Sequence, residues 1–438
     1  MILIYSEQIT NRLVYTLELI FQSVLKTGFQ LTGDKDGFLA SALPKINYSN
    51  EDFGDGLFLK AHSLLFETGI TEQKIAPFVF KKQWCFFPVS GNSFLPFDVF
   101  ACSFYITTRY EEYLDEGAGP HGRFPVDKSL QYKYKVLDEP LVNYWARLLA
   151  DRITESYPEF SVPEKKFHFC MTIDVDNAWA YKNKPLWVQT GGLLKSLLKA
   201  DFLEIKSRLR VLSGKEADPY DTYPFIEKLF EGKEDRLRFF FLLGNRSPYD
   251  RNISHRNRKL QQLIRRLAGK YEIGIHPSYL SNGNKKLVEK EKQRIETILG
   301  EPVMSSRQHF LRLNLPATYE SLISAGITDD FTLGWADAVG FRAGLCTPFQ
   351  FFNLKENKAM PLIVHPLHAM DVALKDYLKL EPERALNELI LLMQKVKSIG
   401  GTFTGLWHNE SLSGRGTWKG WQDVFQQLTA MGLKFENE

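Results

Sequence analysis

The sequence predicts an α/β protein in which a parallel sheet, closed as a barrel, follows a smaller α+β domain. Three observations predict this fold. From about residue 167 onward, apolar strand-like runs alternate with amphipathic helical segments, and such alternation predicts a parallel sheet covered by helices. Seven strands are predicted without a glycine-rich phosphate loop, which favours a barrel over a nucleotide-binding sheet. The chain of 438 residues is also long enough for two domains.

The strand candidates are 167–175, 237–243, 272–276, 304–310, 326–330, 361–365 and 402–407. The clearest amphipathic helices lie at 255–270, 285–300 and 381–401, and the last is closed by glycines as a C-cap. The segment 181–222 is too long for a simple connection between strand and helix. We therefore predict a partly helical insertion there, lying over the mouth of the barrel.

A domain boundary is predicted in "SYPEFSVPEKK", where two prolines and a charge cluster precede the first strand of the barrel. Residues 1–160 are accordingly predicted to form an α+β domain of unknown role, and residues 161–438 the barrel. One polar cluster is predicted in the first domain, and it comprises Arg109, Glu111, Glu112, His121 and Arg123. Surface ion pairs are the favoured interpretation of this cluster, since charged side chains usually lie on a solvated face.

The composition is that of an ordinary globular protein, with 44% hydrophobic and 24% charged residues. A net charge of +3 indicates neither nucleic acid nor an anionic membrane as a partner. The start of the chain has no signal-peptide pattern, and no later run is apolar enough to span a membrane. The four cysteines form no CxxC pair and are predicted to be reduced. These features predict a cytoplasmic protein and leave its oligomeric state open.

The first strand of the barrel ends in two carboxylates. Asp174 and Asp176 are spaced i and i+2 in "TIDVD", so they share one face of the strand. Two adjacent acids repel each other unless a cation or a proton lies between them. An Asp-rich turn with a helix cap is the alternative interpretation, and this stretch alone favours neither.

Histidines gather at the same ends of the predicted strands, where parallel α/β folds carry their chemistry. They are His276, His309, His365, His368 and His408. A lone histidine at a strand end is more often structural than a ligand. A carboxylate and two imidazoles converging on one site, however, are a suitable ligand set for Zn²⁺ or another divalent metal. A second carboxylate can then accept a proton from water, and a further histidine can protonate a leaving group.

Residues from about 167 to 438 resemble the polysaccharide deacetylase superfamily, also called the NodB-homology or carbohydrate esterase family 4 fold. Four segments carry the resemblance in the family's order, and they are "TIDVD", "GIHPSY", "SRQHFL" and "LWHN". The resemblance implies a distorted (β/α)7 barrel that removes acetyl groups from sugars with a divalent metal, Zn²⁺ first, with Co²⁺ or Ni²⁺ as alternatives. The N-terminal region, with "FDVFACSFYITTRYEEYL" and "HGRFP", is similar to an uncharacterised domain that precedes such barrels in some bacterial proteins.

The resemblance implies four catalytic residues. They are Asp174 as general base, His408 as general acid, Arg307 as the residue that orients the base, and Asp371 as the residue that holds His408.

The resemblance also implies a metal site, but with a departure from the family pattern. Asp176 and His276 match two of the family's ligands. The family's second motif supplies another histidine four residues later, where this chain has Leu280. His309 stands where the third motif has proline, and it is the predicted replacement ligand.

The leading hypothesis is a metal-dependent hydrolase of C–N bonds that removes acetyl groups from N-acetylated sugars or polysaccharide precursors, such as nucleotide- or lipid-linked intermediates. A catalytically silent carbohydrate-binding or scaffolding barrel is the first alternative, and the missing histidine favours it. A hydrolase of a non-sugar amide is the second. Aromatic residues that could stack on a sugar at the mouth are Trp179, Tyr279, Trp335 and Trp407, although aromatics more often lie in the core.

Overall fold

The computed structural model describes residues 1–114 and 119–438. Its strands are β1 Ile2–Tyr5, β2 Phe29–Thr32, β3 Lys45–Ser49, β4 Leu57–Lys60, β5 Phe78–Phe80, β6 Gln83–Cys85, β7 His168–Val175, β8 Leu237–Phe241, β9 Glu272–Ile275, β10 Ser305–Ser306, β11 Asp329–Asp330, β12 Phe349–Asn353, β13 Lys358–Val364, β14 Ala369–Met370 and β15 Thr402–His408.

The α-helices are α1 Asn11–Leu17, α2 Lys35–Ala40, α3 Val99–Thr107, α4 Tyr110–Leu114, α5 Leu130–Lys133, α6 Leu141–Ser156, α7 Leu186–Leu198, α8 Phe202–Leu212, α9 Tyr223–Leu229, α10 Arg258–Ala268, α11 Lys285–Leu299, α12 Ala317–Ser324, α13 Pro382–Ile399 and α14 Trp421–Asn437. Two π-helical segments are Glu18–Val24 and Ala373–Tyr377. Short 3₁₀ turns are Ser63–Phe66, Pro120–Gly122, Val126–Lys128, Glu234–Arg236, Tyr279–Ser281, His309–Leu311, Asn409–Ser413 and Gly416–Trp418. None of the described helices is long and apolar enough to cross a bilayer.

The main sheet has nine strands in the order β12-β13-β11-β10-β9-β8-β7-β15-β14. All neighbours pair in parallel except β12, which runs antiparallel to β13. The predicted α/β class with a parallel sheet is therefore confirmed. No pairing joins β13 to β14 among the described residues, so closure of the sheet into a barrel stays a prediction.

All seven predicted strands are present, but two are much shorter than predicted. The candidates 304–310 and 326–330 shrink to the two-residue strands β10 and β11. After β10 the chain leaves the sheet, and it turns through Phe310 with a φ of 62°. This early exit brings the side chains after β10 to the carboxyl edge of the sheet.

The predicted helices form where a stripe of apolar residues can be buried. In α10 the buried residues are Leu260, Leu263, Ile264 and Leu267, at the i, i+3, i+4 and i+7 spacing of one helix face. Asn257 caps this helix, since its side chain accepts hydrogen bonds from the backbone amides of Lys259 and Leu260. The inserted segment 181–222 is partly helical as predicted, because it contains α7 and α8.

The N-terminal part of the chain contains a separate four-stranded parallel sheet in the order β2-β1-β3-β4. It packs on the rest of the chain through one continuous apolar cluster. The ring of Tyr15 lies 4.9 Å from that of Phe352, and its hydroxyl donates to the carbonyl of Gln350 at 2.8 Å. The predicted boundary near residue 160 stays a prediction.

The prediction of surface ion pairs for the N-terminal polar cluster is wrong for three of its members. Arg109 is fully buried, and it donates to Glu111 and Glu112 at 2.7 Å each. Glu112 also accepts from Arg342 at 2.7 Å, so two guanidinium groups share one buried carboxylate. The network can be buried because its charges neutralise each other and their hydrogen bonds are satisfied. His121 lies apart from it, at the mouth of the candidate site described below.

Replacing Glu112 by glutamine is expected to lower the free energy of unfolding by about 3–5 kcal/mol, because Arg342 loses its carboxylate inside the protein. Urea denaturation measures this change. The matched control is Asp151→Asn, which breaks an exposed pair with Arg147 at 3.0 Å and should cost at most about 1 kcal/mol. A loss for Glu112→Gln as small as that of the control would contradict a stabilising buried network.

Candidate active site

Three side chains meet at the carboxyl edge of the main sheet. Asp176 follows β7, His276 follows β9, and His309 lies just beyond β10. Their ligand atoms all lie within 4.8 Å of one another. The Nε2 atom of His276 is 3.3 Å from one Asp176 oxygen, and the Nε2 atom of His309 is 3.4 Å from the other. The structure thus brings together all three residues that the sequence predicted as metal ligands.

Hydrogen bonds behind each imidazole turn its Nε2 atom toward this centre. The Nδ1 atom of His276 donates to the carbonyl of Arg307 at 2.6 Å, and that of His309 donates to Asp250 at 2.9 Å. The Nε2 atom of His276 and one oxygen of Asp176 are buried without a hydrogen-bond partner among the described residues. Buried polar atoms are rarely left unpaired. An unprotonated nitrogen and a carboxylate facing one point fit a divalent cation.

The charges of the cluster are strongly coupled. Burial alone raises the pKa of Asp176, but the imidazoles of His309 and His276 hold it well below its usual range. Burial likewise lowers the pKa of His309, but the carboxylates of Asp176 and Asp250 raise it to about 9. Asp176 is therefore ionised at neutral pH, as a metal ligand must be.

Sequence reasoning missed Asp250. This residue lies in the loop after β8, in the stretch "LLGNRSPYD", and it is fully buried. In addition to the hydrogen bond from His309, Asp250 accepts hydrogen bonds from the backbone amide of Tyr279 at 2.8 Å and from the hydroxyl of Ser247 at 2.7 Å. Such a carboxylate fixes the tautomer and orientation of a metal-binding imidazole. The sequence feature that could have identified Asp250 is an acidic residue in the loop after the carboxyl end of a predicted strand.

Replacing Asp250 by asparagine is expected to weaken metal affinity about 10–100-fold, because His309 loses the carboxylate that makes its ring a stronger donor. Competition with a chromophoric chelator measures the affinity. Asp329→Asn is the matched control, since Asp329 holds His365 at 2.8 Å and neither residue lines the site. Equal affinities for the two variants would show that Asp250 does not support a ligand.

Asp174 and His408 lie side by side next to the three-residue cluster. They are register partners on the neighbouring parallel strands β7 and β15, so their side chains lie on the same face. Asp174 is 2% exposed, and one of its oxygens has no hydrogen-bond partner in the described part of the chain. Its other oxygen is 3.7 Å from the Nε2 atom of His276. The Asp174 carboxylate therefore lies beside the three-residue cluster.

Asp371 holds His408, as the resemblance implied. The Nδ1 atom of His408 donates to Asp371 at 2.9 Å, and the backbone amide of His408 donates to the same carboxylate at 2.8 Å. Ser411 donates to this carboxylate as well. Burial lowers the pKa of His408, but the charge of Asp371, aided by Asp176 and Asp174, raises it well above its usual value. His408 therefore carries a proton at neutral pH.

Arg307 is fully buried beneath the site, and it donates to Thr172 at 3.0 Å. Its other guanidinium nitrogens have no hydrogen-bond partner, and it forms no ion pair with Asp174 within the described residues. Burial lowers the pKa of Arg307, and the negative charge of Asp174 opposes this shift. A direct hydrogen bond that would orient the base is not present, so that role stays a prediction.

A cavity of about 160 Å³ joins these groups. Its lining residues are Arg123, Asp174, Asp176, His276, His309, Phe310, Leu311, Met370, Val372, Tyr377, Leu406, His408 and Glu410. The lining thus combines ionisable side chains with apolar ones. Burial raises the pKa of Glu410, and the charge of Asp176 adds to this effect.

Arg123 shows that the N-terminal part of the chain contributes to the cavity. Its Nε atom donates to the carbonyl of Phe310 at 2.6 Å. Next to it, His121 lies 3.2 Å from the hydroxyl of Tyr279. The sequence motif "HGRFP" therefore reaches the candidate site, which sequence reasoning did not predict.

The remaining candidates lie elsewhere. His368 is buried in the core, where burial lowers its pKa to about 4. Three aromatic residues that were candidates for the mouth are buried, and they are Trp179, Trp335 and Trp407. Tyr279 is partly exposed, and it stacks on Tyr249 with 4.1 Å between ring centroids.

Comparisons with known proteins give one family match and several distant structural similarities. Residues 2–158 match a family model described as "Family of unknown function (DUF7033)". No curated protein matches the chain. A putative polysaccharide deacetylase from Mycobacterium smegmatis is similar at 17% identity and a TM-score of 0.38, over 62% of this chain and 87% of that one.

Two further solved structures show similarity of the same order. The Puue allantoinase aligns at 11% identity and a TM-score of 0.39, over 62% of this chain and 85% of its own. A CE4 family pseudoenzyme from Bacillus anthracis aligns at 12% identity and a TM-score of 0.31, over 62% of this chain and 63% of its own. TM-scores this low do not establish a shared activity.

Proposed function

We propose that this protein is a metal-dependent hydrolase that removes acetyl groups from N-acetylated sugars or polysaccharide precursors. One observation carries the proposal. A three-residue set suited to a divalent metal, a free carboxylate and a carboxylate-held histidine all line one small cavity with an apolar wall. These are the groups that hydrolysis of an amide requires.

Asp176, His276 and His309 would hold the metal, with Zn²⁺ as the first choice and Co²⁺ or Ni²⁺ as alternatives. The bound ion would supply a Lewis acid that polarises the acetyl carbonyl. The fit depends on the unpaired Nε2 atom of His276 and on the ionised state of Asp176. His309 takes the place of the second-motif histidine that the resembling family has.

Asp174 would accept the proton of the attacking water, because its unpaired oxygen is buried beside the centre. His408 would donate a proton to the departing amine. Its raised pKa keeps it protonated at neutral pH, and Asp371 leaves only its Nε2 atom free to face the cavity. Because Asp174 and His408 are neighbours across two strands, acid and base act on the same bound group.

The apolar wall suits the methyl group of an acetyl substituent. Leu311, Met370 and Leu406 belong to one buried apolar cluster, and they line the same cavity as the ionisable groups. Phe310 and Tyr249 line a larger groove next to this cavity, where aromatic rings can stack on a sugar. The strands follow one another in sequence across the sheet from β7 to β11, with β13 next, and this order supports the further proposal of a distorted barrel.

Release of acetate tests the proposal. The purified protein, supplied with Zn²⁺, Co²⁺ or Ni²⁺, is incubated with N-acetylhexosamine oligomers and with N-acetylated sugar phosphates. Acetate is expected from at least one of them, and His408→Ala is expected to lower its rate about 10²–10⁴-fold. His365→Ala is the matched control, since His365 pairs with Asp329 outside the cavity. Absence of acetate from every acetylated or formylated substrate, with the metal bound, would favour a silent binding protein.

A further inference from the structure

A second cavity, of about 660 Å³, has a strongly basic wall. It lies between the loop after β8, the helix α11 and the start of α7. Its basic lining residues are Lys184, Arg246, Arg251, His255, Arg256, Lys290 and Arg294, and no acidic residue lines it. We call it the basic cavity. A concave surface lined by one sign of charge concentrates counter-ions of the other sign.

Among the described residues, no carboxylate lies within ion-pair distance of the lysines and arginines of the basic cavity. Within residues 1–114 and 119–438, none of its six lysines and arginines forms an ion pair, whereas Arg109 and Arg342 share carboxylates elsewhere. Arg294 is held by the carbonyl of Leu243 at 2.6 Å and by Asn245 at 2.8 Å, and both of these partners are uncharged. Nearby like charges without counter-charges are unfavourable until an anion binds.

Two titratable groups respond to this positive field. Burial lowers the pKa of Lys184 to about 8. The charge of Asp218 opposes this shift, and the charges of Arg208 and Arg246 add to it. Burial also lowers the pKa of His255, and Arg294, Arg256 and Lys290 add to the shift.

The basic cavity shares lining residues with a groove that reaches the candidate active site. A groove of about 1010 Å³ is lined by Asp176 and His309 of the metal set and also by three cations of the basic cavity. Those three shared residues are Lys184, Arg246 and Arg251. The loop that carries Arg246 and Arg251 also carries Asp250, which holds His309. One extended ligand can therefore reach both the metal set and the cations.

We propose that the basic cavity binds the phosphate or diphosphate group of a glycosyl substrate whose sugar lies at the metal set. Guanidinium groups suit this ligand, because they donate two parallel hydrogen bonds to phosphate oxygens. The substrate is then an acidic sugar phosphate ester and not a neutral polymer. The phosphate site stands on its own observations, whereas its use by a substrate rests on the proposed deacetylase function.

Calorimetry with inorganic pyrophosphate tests the phosphate site without any chemistry. Wild-type protein is expected to bind it, and Arg246→Gln and Arg251→Gln are each expected to weaken binding about tenfold or more, since each removes a charged hydrogen-bond donor. Arg258→Gln is the matched control, because Arg258 is exposed, forms no described ion pair and does not line the cavity. No binding, or binding that neither cavity variant weakens, would overturn the proposal.

Binding of two further ligands identifies the kind of molecule that carries the phosphate. A nucleoside diphosphate and a short prenyl diphosphate are compared with pyrophosphate on the same variants. Tighter binding of either one, lost in Arg246→Gln, supports a nucleotide-linked or a lipid-linked sugar, respectively. If the three ligands bind equally well and Arg246→Gln does not change acetate release from neutral oligomers, the basic cavity does not bind the substrate. The proposed deacetylase function would still stand. Pyrophosphate binding without turnover of any acetylated substrate would instead count against the proposed function.

A different observation concerns the hairpin of α7 and α8, which covers part of the groove. In its first helix the polar side chains are buried and the apolar side chains are exposed, which is the reverse of the usual pattern. The buried residues of α7 are Gln189 and Ser196, while Trp187, Leu194 and Leu198 share the opposite face and lie exposed. Nine of the twenty-two large hydrophobic side chains that are exposed among the described residues lie in this hairpin, and they are Leu186, Trp187, Leu194, Leu197, Leu198, Phe202, Leu203, Leu209 and Leu212. A patch of this kind marks an interaction surface.

We infer that the hairpin docks on an anionic membrane surface. Lys195, Lys199 and Lys206 lie among its apolar residues and have no carboxylate partner in the described part of the chain. Leucine and tryptophan on one face, with lysine beside them, are typical of helices that lie in the membrane interface. A second copy of the chain would bring the same lysines against each other, so charge complementarity favours lipid. The net charge of the whole chain is only +3, so it does not reveal this local concentration of positive charge.

Co-sedimentation with vesicles tests the docking. Binding to phosphatidylcholine vesicles that contain phosphatidylglycerol is expected, with a loss of about tenfold or more in Leu194→Gln/Leu198→Gln. Lys199→Gln/Lys206→Gln is expected to lose the preference for anionic lipid. Leu391→Gln is the control, since Leu391 is exposed on α13. No vesicle binding, or a dimer in ultracentrifugation that only the double leucine variant abolishes, would overturn the inference.

Discussion

Replacing His276 by alanine is expected to abolish tight binding of a divalent metal. Its Nε2 atom is one of three donors in the set, and like one oxygen of Asp176 it is buried without a hydrogen-bond partner among the described residues. Loss of a supporting residue already costs about 10–100-fold in affinity, so loss of a direct ligand should cost more than about 100-fold. Chelator competition measures the affinity, and elemental analysis after dialysis gives the metal content.

His309→Ala is the decisive companion variant. If His309 replaces the histidine missing at Leu280, its removal should cost as much affinity as the removal of His276. His365→Ala is the matched control, because His365 also follows a strand but binds Asp329 outside the cavity. A His309→Ala protein that keeps its metal would show that a different group completes the set.

The parts of the site that could be predicted are those fixed by strand geometry. Alternation along β7 places Asp174 and Asp176 on one face, and parallel strands bring their carboxyl ends to the same edge. These two rules predicted that Asp176 and the five strand-end histidines lie near this edge, and the family resemblance then selected His276 and His309 as the ligands. The same rules selected His365 equally well, and only the tertiary structure shows that it points to Asp329.

The parts that could not be predicted depend on contacts between distant segments. The burial of Arg109 depends on Arg342 and Glu112 meeting across more than 200 residues. Arg123 reaches the cavity through a contact with a distant segment, since its Nε atom donates to the carbonyl of Phe310. The apolar stripe of α7 is visible in the sequence. Its exposure could not be predicted, because amphipathic helices normally turn such a stripe toward the core.

Replacing Asp174 by asparagine is expected to keep the metal and to lower kcat about 10²–10⁴-fold, because asparagine has the same shape but cannot accept a proton. Asp174 is not one of the three clustered donors, and its free oxygen has no other partner in the described residues. Metal affinity and acetate release are measured on the same preparation. A fall in both would mean that Asp174 is itself a ligand.

Asp176→Asn gives the opposite expectation and completes the comparison. Asp176 lies between both imidazoles, and its strongly lowered pKa shows that the site is built to hold it ionised. Its amide should therefore bind the metal weakly, and adding excess metal should restore part of the turnover. Asp174→Asn should not respond to added metal, since its defect is the missing base. If metal rescues Asp174→Asn and not Asp176→Asn, the roles of the two carboxylates are exchanged.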